Sequence, residues 1–195
     1  MRSAALILGC TSFALVLACG GGTATTAPEG TASVSGSISG TPLSEGSAVS
    51  AQVADSKGSA ALIEISDDAA LCDQLSAGGI GGSQHRFELT VYTIGADKRR
   101  QAPAATGTYT LNVQDPGGLF AEVDYLTTDA ACGQVIAQSG KATSGTVALT
   151  SVTNGMYAGS FDIKLDSTDR VTGSFAPSAC AALQKLDDGV PLNCR

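Results

Sequence analysis

Chemistry in this chain would fall to a small set of side chains. His85 is the single histidine, and a Ser-His-acid arrangement needs no more than one. The carboxylates gather as Asp67 with Asp68, Glu122 with Asp124, Asp162 with Asp166 and Asp169, and Asp187 with Asp188. On one strand face Glu122 and Asp124 would sit roughly 7 Å apart, a spacing open to glycoside chemistry and equally natural for a solvated outer face. Asp166 and Asp169 flank a short turn and could bind calcium weakly, although the EF-hand pattern is absent. Lys98, Arg99 and Arg100 form the basic cluster, which could meet an anionic headgroup or glycan from a loop. No G-x-S-x-G elbow accompanies His85, so it reads as a strand-end side chain, and no catalytic residue is assigned.

Composition narrows the setting. The chain has 195 residues, 18 acidic and 11 basic side chains, a net charge of -7, 43% hydrophobic and 15% charged residues. That length suits one domain. The acidity would repel a polyanion, which excludes nucleic acid as the main partner, and the apolar content excludes wholesale disorder. The 24 glycines follow no three-residue period, which excludes collagen, and no apolar run would supply several membrane spans.

The N-terminus reads as an address. Arg2 precedes an apolar segment from Ala4 to Ala18, too short for a stable mature span and ending in small residues, as a cleaved secretion signal does. Val16, Leu17, Ala18 and Cys19 resemble the lipobox of bacterial lipoproteins. The resemblance implies that residues 1–18 are a signal peptide, that Cys19 carries a diacylglycerol, and that its freed amino group is acylated. Two or three acyl chains would hold the protein on a membrane nearly permanently. Gly20 stands where inner-membrane lipoproteins of this class often carry Asp, so the resemblance implies the outer membrane of a Gram-negative cell envelope. Residues 19–31 are then the lipidated cysteine and a tether: Gly20 to Thr31 contain no large apolar side chain, and twelve such residues span roughly 19 Å.

Of the six cysteines, Cys10 leaves with the leader and Cys19 takes the lipid. The remainder, Cys72, Cys132, Cys180 and Cys194, is an even number in an exported chain and predicts two disulfides with three possible pairings. Cys180 with Cys194 and Cys72 with Cys132 is the expected set, the former closing a short C-terminal loop. Thiol metal binding is not expected, because no pair has the close spacing of zinc ligands.

The elements that must position these groups are strands. Period-two alternation places Val34 and Ile38, Val49, Ala51 and Val53, Phe87, Leu89 and Val91, and Phe161, Ile163 and Leu165 on buried faces, with polar residues such as Ser50, Gln52, Arg86 and Glu88 opposite. About nine strands follow, near 32–39, 47–54, 60–66, 84–93, 107–114, 119–127, 145–152, 156–165 and 170–176. The prediction is one all-β domain over 32–195, an antiparallel β-sandwich or barrel. Two short helical segments interrupt it, one capped by Ser66 with Leu71 and Leu75 inward and one after Pro177 with Leu183 and Leu186 inward. In Val34-Ser-Gly-Ser-Ile38, Tyr157-Ala-Gly-Ser-Phe161 and Val171-Thr-Gly-Ser-Phe175 a glycine falls on the core face, where it marks a bend or the close approach of another group such as an aromatic of the facing sheet.

The expected function is that of a lipid-anchored envelope lipoprotein acting as a non-enzymatic structural or interaction module. Its partners would be the membrane, through the acyl chains, and an envelope protein, glycan or small ligand. No cofactor is implied. A lipocalin-like binder of small molecules or lipids is the alternative, in which the inward set lines a cavity; 5% aromatics and the lack of tryptophan weigh against it. A hydrolase would need His85 or two carboxylates in one cleft.

Overall fold

The computed structural model describes residues 30–43, 46–111, 118–165, 169–190 and 192–194. The leader, Cys19, the tether up to residue 29 and Asp166 lie outside the described residues. The structure is mostly β, and among the described residues there are nine long strands: β1 Thr31–Ser35, β2 Gly46–Asp55, β3 Gly58–Ser66, β4 His85–Ile94, β5 Gly107–Leu111, β6 Leu119–Thr127, β7 Gly140–Thr153, β8 Met156–Leu165 and β9 Arg170–Ala176. Each coincides with an alternating run of the sequence. The first strand starts at Thr31, one residue inside the expected tether, and β7 begins at Gly140 instead of 145.

These strands form one large mixed sheet. Neighbours run β1, β9, β8, β7, β5, β6, β4, β3, β2, and the start of β2 pairs again with β1 through Thr31 with Ser47 and Ala32 with Gly46. Most pairs are antiparallel. The expectation of a purely antiparallel sheet is corrected by β5, which runs parallel to β6 and antiparallel to β7. Short β5 is wedged between β6 and β7 at one end, and beyond it those two strands pair directly, Asp124 with Lys141 and Tyr125 with Gly140. Alternation could not reveal this, since side chains alternate identically whichever way a strand runs.

One apolar cluster packs along these strands, with Phe87, Tyr109, Tyr157, Phe161, Phe175 and Ile163 among its members. Phe161 lies 5.9 Å from Phe87 and 6.4 Å from Phe175 between ring centroids. Phe161 also explains Gly173, its direct partner across β8 and β9: a Cβ there would sit 2.6 Å from the ring. The close aromatic is real, but it comes from the neighbouring strand and not from a facing sheet.

A second cluster lies outside β2 and β3, where α1 (Leu71–Ser76) and α2 (Leu183–Asp187) cover Val49, Val53 and Leu62 with Leu71, Leu75 and Leu183. This overturns the reading of β2. Val49 and Val53 are buried, but beneath the helices, while Ala48 belongs to the main core and Ser50 shares its side of the strand. Ser50 is tolerated there because its hydroxyl contacts Gly155 O at 3.4 Å and accepts from Tyr157 N at 3.3 Å. Ser66 is not the cap of α1 either; it ends β3, and the residue before the helix is Ala70, whose N–H donates to Asp68 Oδ1 at 2.8 Å. Leu186 is only partly buried at the edge of the second cluster.

The two disulfides join Cys72 to Cys180 and Cys132 to Cys194. The expected pairing of Cys180 with Cys194 and Cys72 with Cys132 is therefore wrong. Cys180 is pinned on β2, its N–H donating to Ser50 O at 2.9 Å, where it meets α1 beneath the helices. The chain then turns through α2 and leaves Cys180 behind. Asn193–Cys194 pairs in parallel with Gly79–Ile80, just past α1, and Cys132 Sγ lies 3.6 Å from Ile80 O. Tertiary packing thus favours the long loops, separations of 108 and 62 residues, over the nearest cysteine in sequence.

Candidate functional site

The side of these strands turned away from the main core carries a row of charge. Cross-strand register places Glu64 of β3 opposite Glu88 of β4, Glu88 opposite Asp124 of β6, and Asp124 opposite Lys141 of β7. Three carboxylates in adjacent positions repel one another, an arrangement that a sheet does not adopt for stability. A groove of about 430 Å³ follows this row and is bordered also by Arg86, Tyr125 and Gln134.

Glu64 is fully buried, and so is all but 5% of Arg86. The Arg86 guanidinium pairs with Glu64 Oε1 through both Nε and a terminal nitrogen. Among the described residues Glu64 Oε2 has no hydrogen-bond partner. Burial pushes the Glu64 carboxyl above its ordinary range, with Arg86 opposing. Lys141 is taken by Asp124, at 2.8 and 3.0 Å from its two oxygens. Half-buried Glu88 has no basic side chain within ion-pair distance among the described residues. Its carboxyl is pushed up to about 7, first by burial and then by Glu64 and Asp124, with Asp187 adding to the rise and Arg86 opposing it. A raised carboxyl inside a groove makes Glu88 the candidate site residue.

No family model, curated protein or solved structure matches the chain.

The residues singled out by sequence are mostly spread elsewhere. Glu122 and Asp124 do share a face, yet only Asp124 borders the groove; Glu122 accepts from the Tyr92 hydroxyl at 2.8 Å and pairs with Arg100 at 3.3 Å. Burial and the Glu122 carboxylate push the Tyr92 phenol up to about 12. The basic cluster is largely spent at home: Arg100 lies 4.6 Å over the Tyr92 ring and Arg99 donates to Ser56 O at 3.2 Å. Asp162 is held by Arg170. Asp169 Oδ2 accepts from Ser39 N at 2.9 Å, and its suggested calcium partner Asp166 is outside the described residues. Asp188 accepts from Gln184 at 2.9 Å, and Asp68 receives the amides of Gln74 and Gln84. Among the described residues no group of three or more His, Cys, Asp or Glu is arranged to hold a metal ion.

His85 has more structure around it than a solvated strand end. Its Nδ1 donates to Asp67 Oδ2 at 3.0 Å, and its backbone N–H donates to Asp67 Oδ1 at 3.0 Å. The pair borders a separate pocket of about 160 Å³ with Ser66 and Phe87. Among the described residues His85 Nε2 has no hydrogen-bond partner.

Glu64, Arg86 and Glu88 escaped the sequence reading as site residues. A signal existed: Glu64 is the lone charge within Ala60-Ala-Leu-Ile-Glu-Ile65. A carboxylate inside a run that apolar needs a buried cation, and Arg86 is the one the register supplies.

Proposed function

We propose that the protein is a lipoprotein of the bacterial cell envelope, held to the outer membrane by acyl chains on Cys19, whose folded part is a small closed β-barrel serving as a non-enzymatic interaction module. The observation that carries this reading is the cysteine inventory. Every cysteine after Cys19 is consumed in a disulfide, as suits an exported, oxidised protein, and Cys19 is left to the Val16-Leu17-Ala18-Cys19 motif. Among the described residues no helix is long and apolar enough to cross a membrane. The double pairing of β1, with β9 on one side and β2 on the other, supports the barrel. The packing of Phe87, Phe161 and Phe175 against one another favours a filled interior over a lipocalin-like cup. Binding would then fall to the outer surface, where the carboxylate groove lies.

The test is fractionation of cells expressing the wild type and Cys19→Ser, with intact-mass analysis. The wild type should sediment with membranes and carry the mass of acylated glycerol; Cys19→Ser should be soluble and lack it. A Cys19→Ser protein that stays on the membrane with unchanged mass ends the reading.

A further inference from the structure

We infer that the pocket beside His85 is a binding site for a small neutral ring compound with one hydroxyl, a phenol in the simplest case, whose O–H donates to His85 Nε2. This site is separate from the lipid anchor and from the carboxylate groove. Its acceptor is held in place from two sides. Asp67 accepts from His85 Nδ1 at 3.0 Å and from the His85 backbone N–H at 3.0 Å, while its own N–H donates to His85 O at 3.3 Å. Both carboxylate oxygens are thereby used on His85, so Asp67 orients the ring and is not the ligand's partner. A neutral imidazole that donates through Nδ1 presents a lone pair at Nε2. Among the described residues no donor meets that lone pair, and bulk water does not touch it. Buried acceptors are almost always filled, so an empty one on a ring fixed this firmly calls for a donor from outside the chain.

The cavity sets the shape of the group that brings this donor. His85 shares its side of β4 with Phe87, so the imidazole stands at the end of the main apolar cluster. Val34, Ile65 and Phe87 line the pocket as members of that cluster, and Leu43 packs against it. The pocket volume of about 160 Å³ is close to the roughly 150 Å³ of an apolar cavity that accepts benzene. Apolar walls of that extent with one acceptor among them match a six-membered ring with one hydroxyl. A carboxylate would meet the charge of Asp67 and bring no proton to Nε2. The imidazole is 23% exposed, which puts the pocket at the surface. Leu43 beside it is half-buried, and its backbone N–H is tied to Gly36 O at 3.1 Å, so its side chain is the part of the wall that can swing to admit a ring.

His85 is the single histidine of the chain, so its ring nitrogens can be read without ambiguity. Long-range proton–nitrogen spectra of the full chain, free of any histidine tag, at pH 8 and with phenol as the probe, test the site. Without phenol they should show the proton on Nδ1. At saturating phenol the Nε2 resonance should move upfield as that nitrogen accepts a hydrogen bond. Benzene and anisole, which offer the same ring without a donor, should bind at least about fivefold more weakly and leave Nε2 unmoved. Titration calorimetry should find that His85→Phe lowers the phenol affinity to that of benzene, and that Leu43→Trp, which fills the pocket from its edge, abolishes binding of all three. The comparison of the three ligands uses the wild type alone and stands even where a variant fails to fold. A proton on Nε2 in the free protein, an Nε2 resonance that phenol does not move, equal affinities for phenol and anisole, or undiminished phenol binding in His85→Phe or Leu43→Trp would each overturn the inference.

Discussion

Glu88 should set the pH dependence of folding stability. Its carboxyl sits at about 7 in the folded protein against 4.5 in an open chain. A folded value above the unfolded one means that the native state binds the proton more tightly. Glu88 is therefore harmless below about pH 4.5, destabilises increasingly as the pH climbs toward 7, and exerts a constant penalty beyond that. At about 1.36 kcal/mol per pH unit the penalty is at most about 3 kcal/mol, and contact of the half-buried side chain with solvent lowers the expectation to about 2 kcal/mol. Glu88→Gln keeps the shape and removes the ionisation. Urea unfolding of the two proteins from pH 4 to pH 8 should give equal stabilities at pH 4 and a variant more stable by about 2 kcal/mol at pH 8. Taking the difference between the two cancels every other titrating group. A difference that stays flat across this range, or a variant less stable than wild type at pH 8, would refute the reasoning, because burial and the Glu64 and Asp124 charges would then not be acting on Glu88.

Two other perturbations probe the same framework. Arg86→Met leaves the Glu64 carboxyl buried without a cation and should cost about 3–5 kcal/mol at pH 8, less at pH 4 where Glu64 can take up a proton; adding Glu64→Leu should recover most of the loss, as urea denaturation would report. Digestion without reduction should link the Cys72 peptide to that of Cys180 and the Cys132 peptide to that of Cys194, and Cys72→Ala with Cys180→Ala should lower stability by about 5 kcal/mol in the chain-entropy model, given a loop of 108 residues.

Much of the fold was legible because a strand with one wet face writes itself into the sequence. Phe87, Leu89 and Val91 against Arg86 and Glu88, and Phe161, Ile163 and Leu165 against their polar neighbours, locate β4 and β8 to within a residue or two. Where both faces are dry the signal fades. In β2 the helices bury Val49 and Val53 while the main core takes Ala48 and Ser50, and nothing local tells which face receives the helices. The disulfide partners were hidden for the same reason: the register of Ser178–Ala179 on β2 and of Asn193–Cys194 on Gly79–Ile80 decides which thiols meet.

The groove is the extreme case of this limit. Glu64, Glu88, Asp124 and Lys141 are separated by tens of residues along the chain and become neighbours only because three antiparallel registers align them. A shift of one residue in any of these ladders would send one of the groups to the opposite face of the sheet. Charges that meet on one strand, such as Glu122 and Asp124, catch the eye in a sequence, yet the structure gives Glu122 to Arg100 and Tyr92 and leaves it outside the groove. Charges that meet across strands leave a different trace, a single Glu in an apolar run and an Arg on the next strand. That trace is weak for finding a site but strong for testing one: since Glu64 is buried against Arg86, and Arg86 is thereby withdrawn from Glu88, the ion pair that lets the sheet fold is also what leaves the Glu88 carboxyl raised.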